Sequence, residues 1–179
     1  DLHASVTRYR ELSPLMRVVY CTDTYPPQVN GVSVVTAISV EGLRARGWDV
    51  HVIAPKYPES AAGAADANMT AIPSVSLPMY PDVRLVAPDY FSVRRAIDRF
   101  RPDIVHCTTE FLVGRLGQMA TARARVPLVT SYHTDFSRYM TSYGVPWLAR
   151  PVSRYIARFH KRALRTYTPS RASRDDLRL

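Results

Sequence analysis

The chain has 179 residues, 46% of them hydrophobic, which is enough to bury the core of one ordinary domain. No apolar run approaches the length of a bilayer span, so we expect a soluble, cytoplasmic protein rather than a membrane-spanning one. The net charge is +9, and between Phe111 and Arg174 twelve Lys or Arg residues face one acid, Asp135. Such a basic segment favours partners that carry phosphate. Cys21 and Cys107 lack metal-ligand spacing, so we expect buried thiols and no metal site.

The chain opens with a predicted strand, helix and strand. Residues 1–15 are polar, and we treat them as an N-terminal extension. Met16–Cys21 and Val50–Ala54 are apolar runs of strand length with β-branched residues. Between them Ser33 is placed to cap an amphipathic helix that Gly47 ends. The apolar residues at helical spacing, which we predict to face the core, are Val34, Val35, Ile38 and Leu43. This order predicts an α/β fold with an open parallel sheet.

The loop between the first strand and the first helix, Thr22–Val32, is polar and stiffened by two prolines. In open parallel sheets, ligands bind at the carboxyl ends of the strands, where this loop must lie. The N-terminus of the helix that follows favours phosphate, and Gly31 allows a ligand to approach the backbone closely. We therefore predict a binding loop, with an ordinary strand-to-helix turn as the alternative.

The remaining chain continues the alternation of strands and helices. Apolar runs predict strands at Thr70–Val75, Val83–Val86, Ile104–Cys107, Val126–Tyr132 and Thr166–Pro169. Helical spacing predicts a helix after Asp89 with Val93, Ala96, Ile97 and Phe100 on one face, then Leu112–Arg123, Arg150–Arg165 and a last helix capped by Ser170. Within Leu112–Arg123, Gly114 and Gly117 favour close packing of the helix against its neighbours.

Polar side chains follow two of the predicted strands at their carboxyl ends. His106, Thr108, Thr109 and Glu110 lie at the end of one strand, and His133, Thr134 and Asp135 follow the next. Since parallel strands end at the same edge of a sheet, these clusters should share one rim with the Asn30-Gly31 loop.

The predicted helix Arg150–Arg165 is basic and amphipathic. Its apolar stripe contains Val152, Tyr155, Ile156, Phe159 and Ala163. Its cations, which we predict to face a membrane, are Arg150, Arg154, Arg158, Lys161, Arg162 and Arg165. Such a helix can lie on an anionic lipid surface; the alternative is a packed helix with a solvated basic face.

Several common catalytic motifs are missing from this sequence. It has no G-x-G-x-x-G after the first strand, no Walker A sequence, no G-x-S-x-G, no H-E-x-x-H and no Asp-x-Asp. The chain is therefore not an evident dinucleotide-binding protein, kinase, serine hydrolase, zincin or metal-dependent sugar transferase.

Four ordered motifs resemble the N-terminal domain of the retaining glycosyltransferases of family four. They are Thr22–Val32, Arg101–His106, Ser131–Asp135 and Thr168–Ser170. The resemblance covers Met16–Leu179 and is nearest to the branch of bacterial mannosyltransferases and glycolipid glycosyltransferases. It implies a Rossmann-like open sheet with helices on both faces, one half of a two-domain GT-B fold.

The resemblance also implies roles for individual residues. Asn30, Gly31, Val32 and His133 would bind the donor, and His133 would hold the transferred sugar at the reaction centre as the catalytic residue. The acceptor would contact Tyr25, Glu110, Tyr132, Asp135 and Tyr139. The substrates implied are a nucleotide-sugar, GDP-mannose or a UDP-sugar, and a lipid or glycolipid acceptor, with no metal or further cofactor.

The family's donor-binding domain has no counterpart in this sequence. We therefore expect a C-terminal donor domain to act in cis or as a separate chain, and we expect the chain alone to transfer no sugar. The basic helix suggests peripheral binding at the inner face of the plasma membrane. The alternatives are a non-catalytic membrane- or anion-binding module and half of a sugar-nucleotide epimerase. Nucleic acid is not an expected partner, because the basic residues belong to no known recognition module.

Overall fold

The computed structural model describes residues 15–58, 68–77, 80–133 and 146–177. The strands are β1 Arg17–Cys21, β2 Asp49–Pro55, β3 Met69–Ile72, β4 Ser74–Leu77, β5 Tyr80–Val86, β6 Ile104–Cys107, β7 Leu128–Ser131 and β8 Arg165–Tyr167. The helices are α1 Gly31–Arg44, α2 Tyr90–Phe100, α3 Leu112–Ala124, α4 Ala149–His160 and α5 Arg171–Asp176, with a 3₁₀ turn at Pro146–Leu148. None of the described helices is long and apolar enough to cross a membrane. The predicted N-terminal extension, apart from Leu15, lies outside the described residues.

Six parallel strands form the central sheet in the order β3-β2-β1-β6-β7-β8. In its centre Val19 is in register with His51 of β2 and with Val105 of β6. The order reverses direction at β1, which has β2 on one side and β6 on the other, and such a switch point opens a crevice at the carboxyl ends of the strands. The predicted α/β, Rossmann-like fold is confirmed.

The two faces of the sheet carry separate apolar clusters. One cluster, with Val18, Tyr20, Val50 and Val52 at its centre, packs under α1. The other packs under α2, α3 and α4, and its buried members are Val19, Cys21, Ile53, Ile72, Val93, Ile97, Val105, Cys107, Val113, Leu116, Ala120, Leu128 and Phe159. Helices on both faces follow from near-continuous apolar strands, which must be covered on both sides.

The prediction of one strand over Thr70–Val75 is wrong. β3 ends at Ile72 and pairs with β2, whereas β4 begins at Ser74 and forms an antiparallel hairpin with β5. Pro73 lies between them, and a proline has no N–H to donate to a sheet. The chain therefore leaves the central sheet at that residue.

The prediction that Ser33 caps α1 is wrong by three residues. Asn30 is the cap, since its side-chain oxygen accepts from the Ser33 N–H at 2.9 Å and its carbonyl accepts from Val34 N–H at 3.0 Å. The end of the helix is as predicted: it is followed by Gly47, at φ +83°, a conformation that glycine adopts without strain.

The predicted inner face of α1 is wrong except at Leu43, which packs against the core cluster under this helix. The residues that α1 buries are Ser33, Thr36 and Val40. By contrast Val34, Val35 and Ile38 are 44%, 46% and 63% exposed. The segment that follows β6 lies beneath this part of α1 and presents a hydroxyl, since Thr36 Oγ1 donates to Thr108 Oγ1 at 3.3 Å. A small polar residue fits this contact better than valine does.

The basic helix is shorter than predicted. α4 ends at His160, and Lys161 and Arg162 lie in the turn that follows. The Leu164 N–H donates to Leu128 O at 2.8 Å, which draws the chain into the sheet as β8 and places Arg165 in that strand. Ile156 and Phe159 are buried as predicted, but Tyr155 is exposed.

Candidate active site

The carboxyl ends of β1, β6 and β7 form one continuous rim. The Thr108 N–H donates to Cys21 O at 3.0 Å, which joins the segments that follow β6 and β1. The Tyr132 N–H donates to Tyr167 O at 2.9 Å and holds the segment after β7 against β8. The polar clusters predicted to share an edge therefore do so for the residues described. Thr134, Asp135 and Tyr139, which complete the prediction, lie outside the described residues.

The loop after β1 is held by its own polar groups. Asn30 Nδ2 donates to Thr24 Oγ1 at 2.7 Å, and Ser33 Oγ donates to Gln28 O at 2.7 Å. Tyr57 OH reaches in from beyond β2 and donates to Gln28 Oε1 at 2.8 Å. The Pro26-Pro27 peptide bond is cis. Both ends of the Asn30 amide are thus engaged within the loop and its cap, so Asn30 shapes the loop that carries Gly31.

Gly31 is the first residue of α1, and its backbone faces open space. A Cβ atom built on Gly31 would meet no atom within 4 Å, and its φ is not in the left-handed region. Nothing in the described part of the chain therefore requires glycine here. A helix N-terminus open to solvent is a favourable place for a phosphate group, which makes the predicted donor contact at Gly31 sterically feasible.

Asp23, in the same loop, has a structural role that the sequence analysis missed. Its carboxylate accepts from the Val113 N–H at 2.7 Å, the Gly114 N–H at 3.2 Å and Thr109 Oγ1 at 2.6 Å. The residue before α3, Phe111, makes no side-chain cap, so Asp23 caps α3 from a different loop. Burial raises the pKa of Asp23, and these hydrogen bonds oppose that rise. Nothing in the sequence around Asp23 indicates that it pairs with Val113, 90 residues later in the chain.

Glu110 points into the protein rather than into the rim. It is 4% exposed, and its Oε1 lies 3.1 Å from Nε2 of the buried His160. Its carbonyl accepts from Tyr155 OH at 2.5 Å. These contacts favour a structural or electrostatic role for the Glu110 carboxylate over the predicted direct contact with an acceptor.

His133 follows β7 by two residues and is half-buried. Burial lowers the pKa of His133, and the negative charge of Glu110 acts in the opposite direction. The imidazole is therefore mainly neutral at pH 7 and can donate a hydrogen bond without releasing a proton. Of the predicted acceptor residues, Tyr132 is buried with its ring against His160, and Tyr25 is half-buried with its N–H 3.4 Å from Tyr57 OH.

His106 lies in β6 beneath the rim and is mostly covered. Its Nε2 is 2.7 Å from Ser131 Oγ, and its ring packs against Tyr20 and Tyr167 with centroid distances of 4.7 and 5.7 Å. Burial, with a smaller contribution from His133, lowers the pKa of His106 to about 4. His106 is thus a neutral, packed histidine. Among the described residues no cluster of histidines, cysteines and acids has the arrangement of a metal site.

The predicted membrane-facing cations are all exposed. Arg150, Arg154 and Arg158 recur every four residues along the outer face of α4, and Lys161, Arg162 and Arg165 continue the basic surface beyond it. Trp147, in the 3₁₀ turn that precedes α4, is 73% exposed. A groove of about 610 Å³ between the ends of α3 and α4 is lined by Arg125 and Arg162, but it lies at the opposite edge of the sheet from the rim.

A comparison with protein-family models matches residues 29–179 to the model described as Glycosyltransferase Family 4. Similar proteins include a GDP-mannose-dependent alpha-mannosyltransferase of Mycobacterium tuberculosis, 34% identical over 166 residues that cover 90% of this chain and 44% of that protein. The enzyme of the same name in Corynebacterium glutamicum is 30% identical, covering 91% of this chain and 40% of that protein. An alpha-monoglucosyldiacylglycerol synthase of Streptococcus pneumoniae is 28% identical over 80% of this chain and 32% of that protein. The chain thus spans less than half the length of the curated relatives it matches.

Solved structures with the same fold are more distant in sequence. A UDP-N-acetylglucosamine 2-epimerase from Listeria monocytogenes superposes with a TM-score of 0.57 at 12% identity, over 92% of this chain and 42% of that one. An alpha-glucosyltransferase in complex with UDP and DNA superposes with a TM-score of 0.51 at 9% identity, over 87% and 38%. At this identity the likeness concerns the fold alone.

Proposed function

The chain belongs to glycosyltransferase family 4, and from that premise we propose that it is the N-terminal, acceptor-side domain of a retaining glycosyltransferase. The enzyme would move a hexose, most simply mannose, from a nucleotide-sugar to a lipid or glycolipid acceptor. The observation that carries this proposal is that the matched region, residues 29–179, includes the open Gly31 backbone and His133, which lie on one rim. The names of the similar mannosyltransferases and glycolipid synthases support the choice of substrates.

Each rim group has a part in the proposed reaction. The donor diphosphate would approach the exposed N-terminus of α1 at Gly31, where no side chain intervenes. His133 would donate a hydrogen bond to a hydroxyl of the transferred sugar. The acceptor hydroxyl would attack the anomeric carbon on the face that the phosphate leaves, and the departing phosphate oxygen would take the acceptor's proton. One C–O bond forms, between the acceptor oxygen and the anomeric carbon, and one breaks, between that carbon and the phosphate oxygen. No protein nucleophile is needed.

We propose that no metal ion and no cofactor beyond the nucleotide-sugar takes part. The sequence has no Asp-x-Asp motif of the kind that holds a divalent cation on a sugar diphosphate. The charge of the leaving diphosphate would then be stabilised by a C-terminal donor domain, in the same polypeptide or in a separate one. Because that domain would supply most of this stabilisation, the chain alone should transfer no sugar.

The exposed basic surface supports peripheral membrane binding as part of the same function. Arg150, Arg154 and Arg158 project from one face of α4, with the exposed Trp147 beside them. Each cation close to an anionic leaflet contributes roughly 1 kcal/mol to binding. Docking through this face at the inner plasma membrane would bring the rim near a lipid acceptor. The same surface is the basis of the second candidate function, a non-catalytic module that only binds anionic membranes.

The direct experiment measures radiolabelled sugar transfer to total bacterial lipid from a panel of GDP- and UDP-sugars. It uses two proteins: the chain alone, and the chain joined to the donor domain of a family member. The second of these is the two-domain protein. We expect transfer by the two-domain protein only, from GDP-mannose and in the presence of EDTA. The proposal would be contradicted if the two-domain protein folds and binds nucleotide but transfers no sugar from any donor of the panel.

Vesicle binding tests the basic surface that both candidate functions use, and sugar transfer then separates them. The triple variant Arg150→Gln, Arg154→Gln and Arg158→Gln should lose binding to phosphatidylglycerol vesicles at moderate salt. A control triple with the same loss of charge, at Arg95, Arg99 and Arg123 on other helices, should retain most of it. Salt-sensitive binding together with no transfer by the two-domain protein would favour the non-catalytic module.

A further inference from the structure

We propose that Glu110 and His160 form a buried positioning pair for His133, an inference that rests on the proposed function of the rim. Glu110 follows β6, His160 ends α4, and His133 follows β7, so the pair joins the three elements that meet beneath the rim. The pair would hold the segment that leads to His133 in place and would set the charge that His133 experiences. Neither residue would touch a substrate.

The pair belongs to a continuous chain of hydrogen bonds. His160 Nε2 lies 3.1 Å from Glu110 Oε1, and His160 Nδ1 lies 2.9 Å from Thr130 Oγ1. Thr130 Oγ1 is in turn 2.9 Å from Thr166 Oγ1 in β8. An ionised carboxylate only accepts hydrogen bonds, so Nε2 of His160 donates to Glu110 and Nδ1 is the ring nitrogen that pairs with Thr130. One carboxylate therefore fixes the orientation of the ring and of the hydroxyl beyond it.

This chain of contacts ends at the residues that precede His133. Thr130 lies in β7, and the ring of Tyr132 packs edge-on against the His160 ring at a centroid distance of 5.5 Å. His160 thus contacts the segment 130–132 twice, by a hydrogen bond and by a ring contact. On the other side, Tyr155 OH donates to the Glu110 carbonyl, so α4 is attached to the loop after β6 at two points.

The location of the pair argues against a role limited to stability. A buried carboxylate and imidazole give the fold less than apolar residues of the same volume would give, because both groups lose water. Among the described residues, the charged group that acts on His133 is Glu110, from the loop after β6. The neighbouring His106 in β6 has a pKa of about 4 and is neutral at pH 7. The negative charge of Glu110 opposes the effect of burial and raises the pKa of His133. Glu110 is therefore placed to keep His133 a good hydrogen-bond donor.

The test is an NMR titration of the imidazole signals in the chain itself, with assignments from single histidine variants. In Glu110→Gln we expect the pKa of His133 to fall by at least about half a unit, since a negative charge has been removed from its surroundings. The matched control Asp98→Asn, which neutralises an exposed acid in α2, should leave the pKa of His133 unchanged. An unchanged pKa of His133 in a folded Glu110→Gln chain would overturn the proposal.

A second variant covers the case in which Glu110→Gln does not fold. His160→Gln removes the ring contact with Tyr132 while keeping a polar group in place. We expect the amide hydrogen of Tyr132 to exchange at least about tenfold faster, because the segment that leads to His133 loses its support. An exchange rate equal to that of the unaltered chain would overturn the positioning role of His160. Both readouts are independent of sugar transfer, so a failure of the proposed function would leave them unaffected.

Discussion

Asp23 lies in the loop after β1, but its carboxylate serves α3, which follows β6. Replacing Asp23 with Ala would leave the Val113 and Gly114 N–H groups without an acceptor at the start of α3. We expect Asp23→Ala to lower the free energy of unfolding by about 2–4 kcal/mol, measured by urea denaturation at pH 7. The control Asp98→Ala, which breaks one exposed ion pair within α2, should cost less than about 1 kcal/mol. Equal losses in the two variants would contradict the cap.

The free energy of unfolding depends on pH through His106. Its pKa in the folded chain, about 4, is below the ordinary 6.5, so the folded state binds fewer protons than the unfolded one between these values. The contribution of His106 to stability is therefore complete above pH 6.5 and is lost as the pH falls through 4. This lowering of the pKa corresponds to a contribution of at most about 3 kcal/mol to the free energy of unfolding. His133, whose pKa is also lowered, acts in the same direction.

The variant His106→Phe isolates this effect. Phenylalanine keeps an aromatic ring between Tyr20 and Tyr167 but binds no proton. The loss of unfolding free energy between pH 7 and pH 4.5, from urea curves, should be smaller in the variant by about 1–3 kcal/mol. Identical pH profiles for the variant and the unaltered chain would show that His106 does not carry the dependence.

The individual side chains of the rim were only partly predictable from the sequence. The positions of Asn30, Gly31 and His133 follow from counting residues past the end of each strand, which needs no tertiary contact. The pairing of Asp23 with α3 and of Glu110 with His160 depends on which elements become neighbours in space. His160 gave one faint signal, a histidine beside Phe159 on the predicted apolar face of its helix.

Among the elements, α3 packs closely on β1, β6 and the segment after β6 because two of its residues are glycines. A Cβ atom on Gly117 would lie 2.5 Å from Cys21 Sγ and 2.8 Å from Cys21 Cβ, and one on Gly114 would lie 1.8 Å from the Thr109 carbonyl oxygen. All three distances are shorter than real Cβ contacts allow. The predicted close packing of this helix is confirmed.

Two glycine substitutions should have opposite outcomes. Gly117→Ala forces a methyl group into the buried thiol of Cys21, and we expect it to lower the free energy of unfolding by about 1–3 kcal/mol or more. Gly31→Ala meets open space at the start of α1 and should leave stability unchanged or raise it by up to about 1 kcal/mol. In the two-domain protein, however, Gly31→Ala should reduce sugar transfer, because the methyl group occupies the proposed approach of the diphosphate.

Urea denaturation measures the stability of both variants. Radiolabelled sugar transfer is measured for Gly31→Ala in the two-domain protein. Should Gly31→Ala destabilise the chain as much as Gly117→Ala, a structural reason for the glycine would be established instead. Normal transfer by a stable Gly31→Ala protein would count against the donor contact.

Element boundaries were predictable where local chemistry sets them. Local signals are Gly47, which follows the end of α1, and Ser170, which caps α5, and both agree with the structure. Pro73 is also a local signal, but the prediction of one strand over Thr70–Val75 overlooked it. The orientation of α1 was not predictable, since Thr36 faces the hydroxyl of Thr108 and the valines are left outside. Likewise α4 ends at His160 because the following residues pair with β7, a contact 36 residues apart in the chain.

At the scale of the whole molecule, the alternation of apolar strands and amphipathic helices was enough to predict the parallel sheet. The reversal of strand order at β1 places the loop after β1 beside the segments after β6 and β7. We expect the selectivity for the sugar to reside in a donor domain. The relatives that this chain resembles are more than twice as long as the segment it matches in them.

In the proposed function, this rim holds the sugar of a nucleotide-sugar donor through His133. The most direct test compares mannose transfer from radiolabelled GDP-mannose to membrane lipid by three forms of the two-domain protein. These are the unaltered form, His133→Ala and the control His51→Gln, a histidine of β2 that bonds Thr70 away from the rim. We predict a loss of at least about 100-fold for His133→Ala with an unchanged melting temperature, and near-normal transfer by the control. Transfer by His133→Ala at the unaltered rate would show that His133 does not hold the sugar.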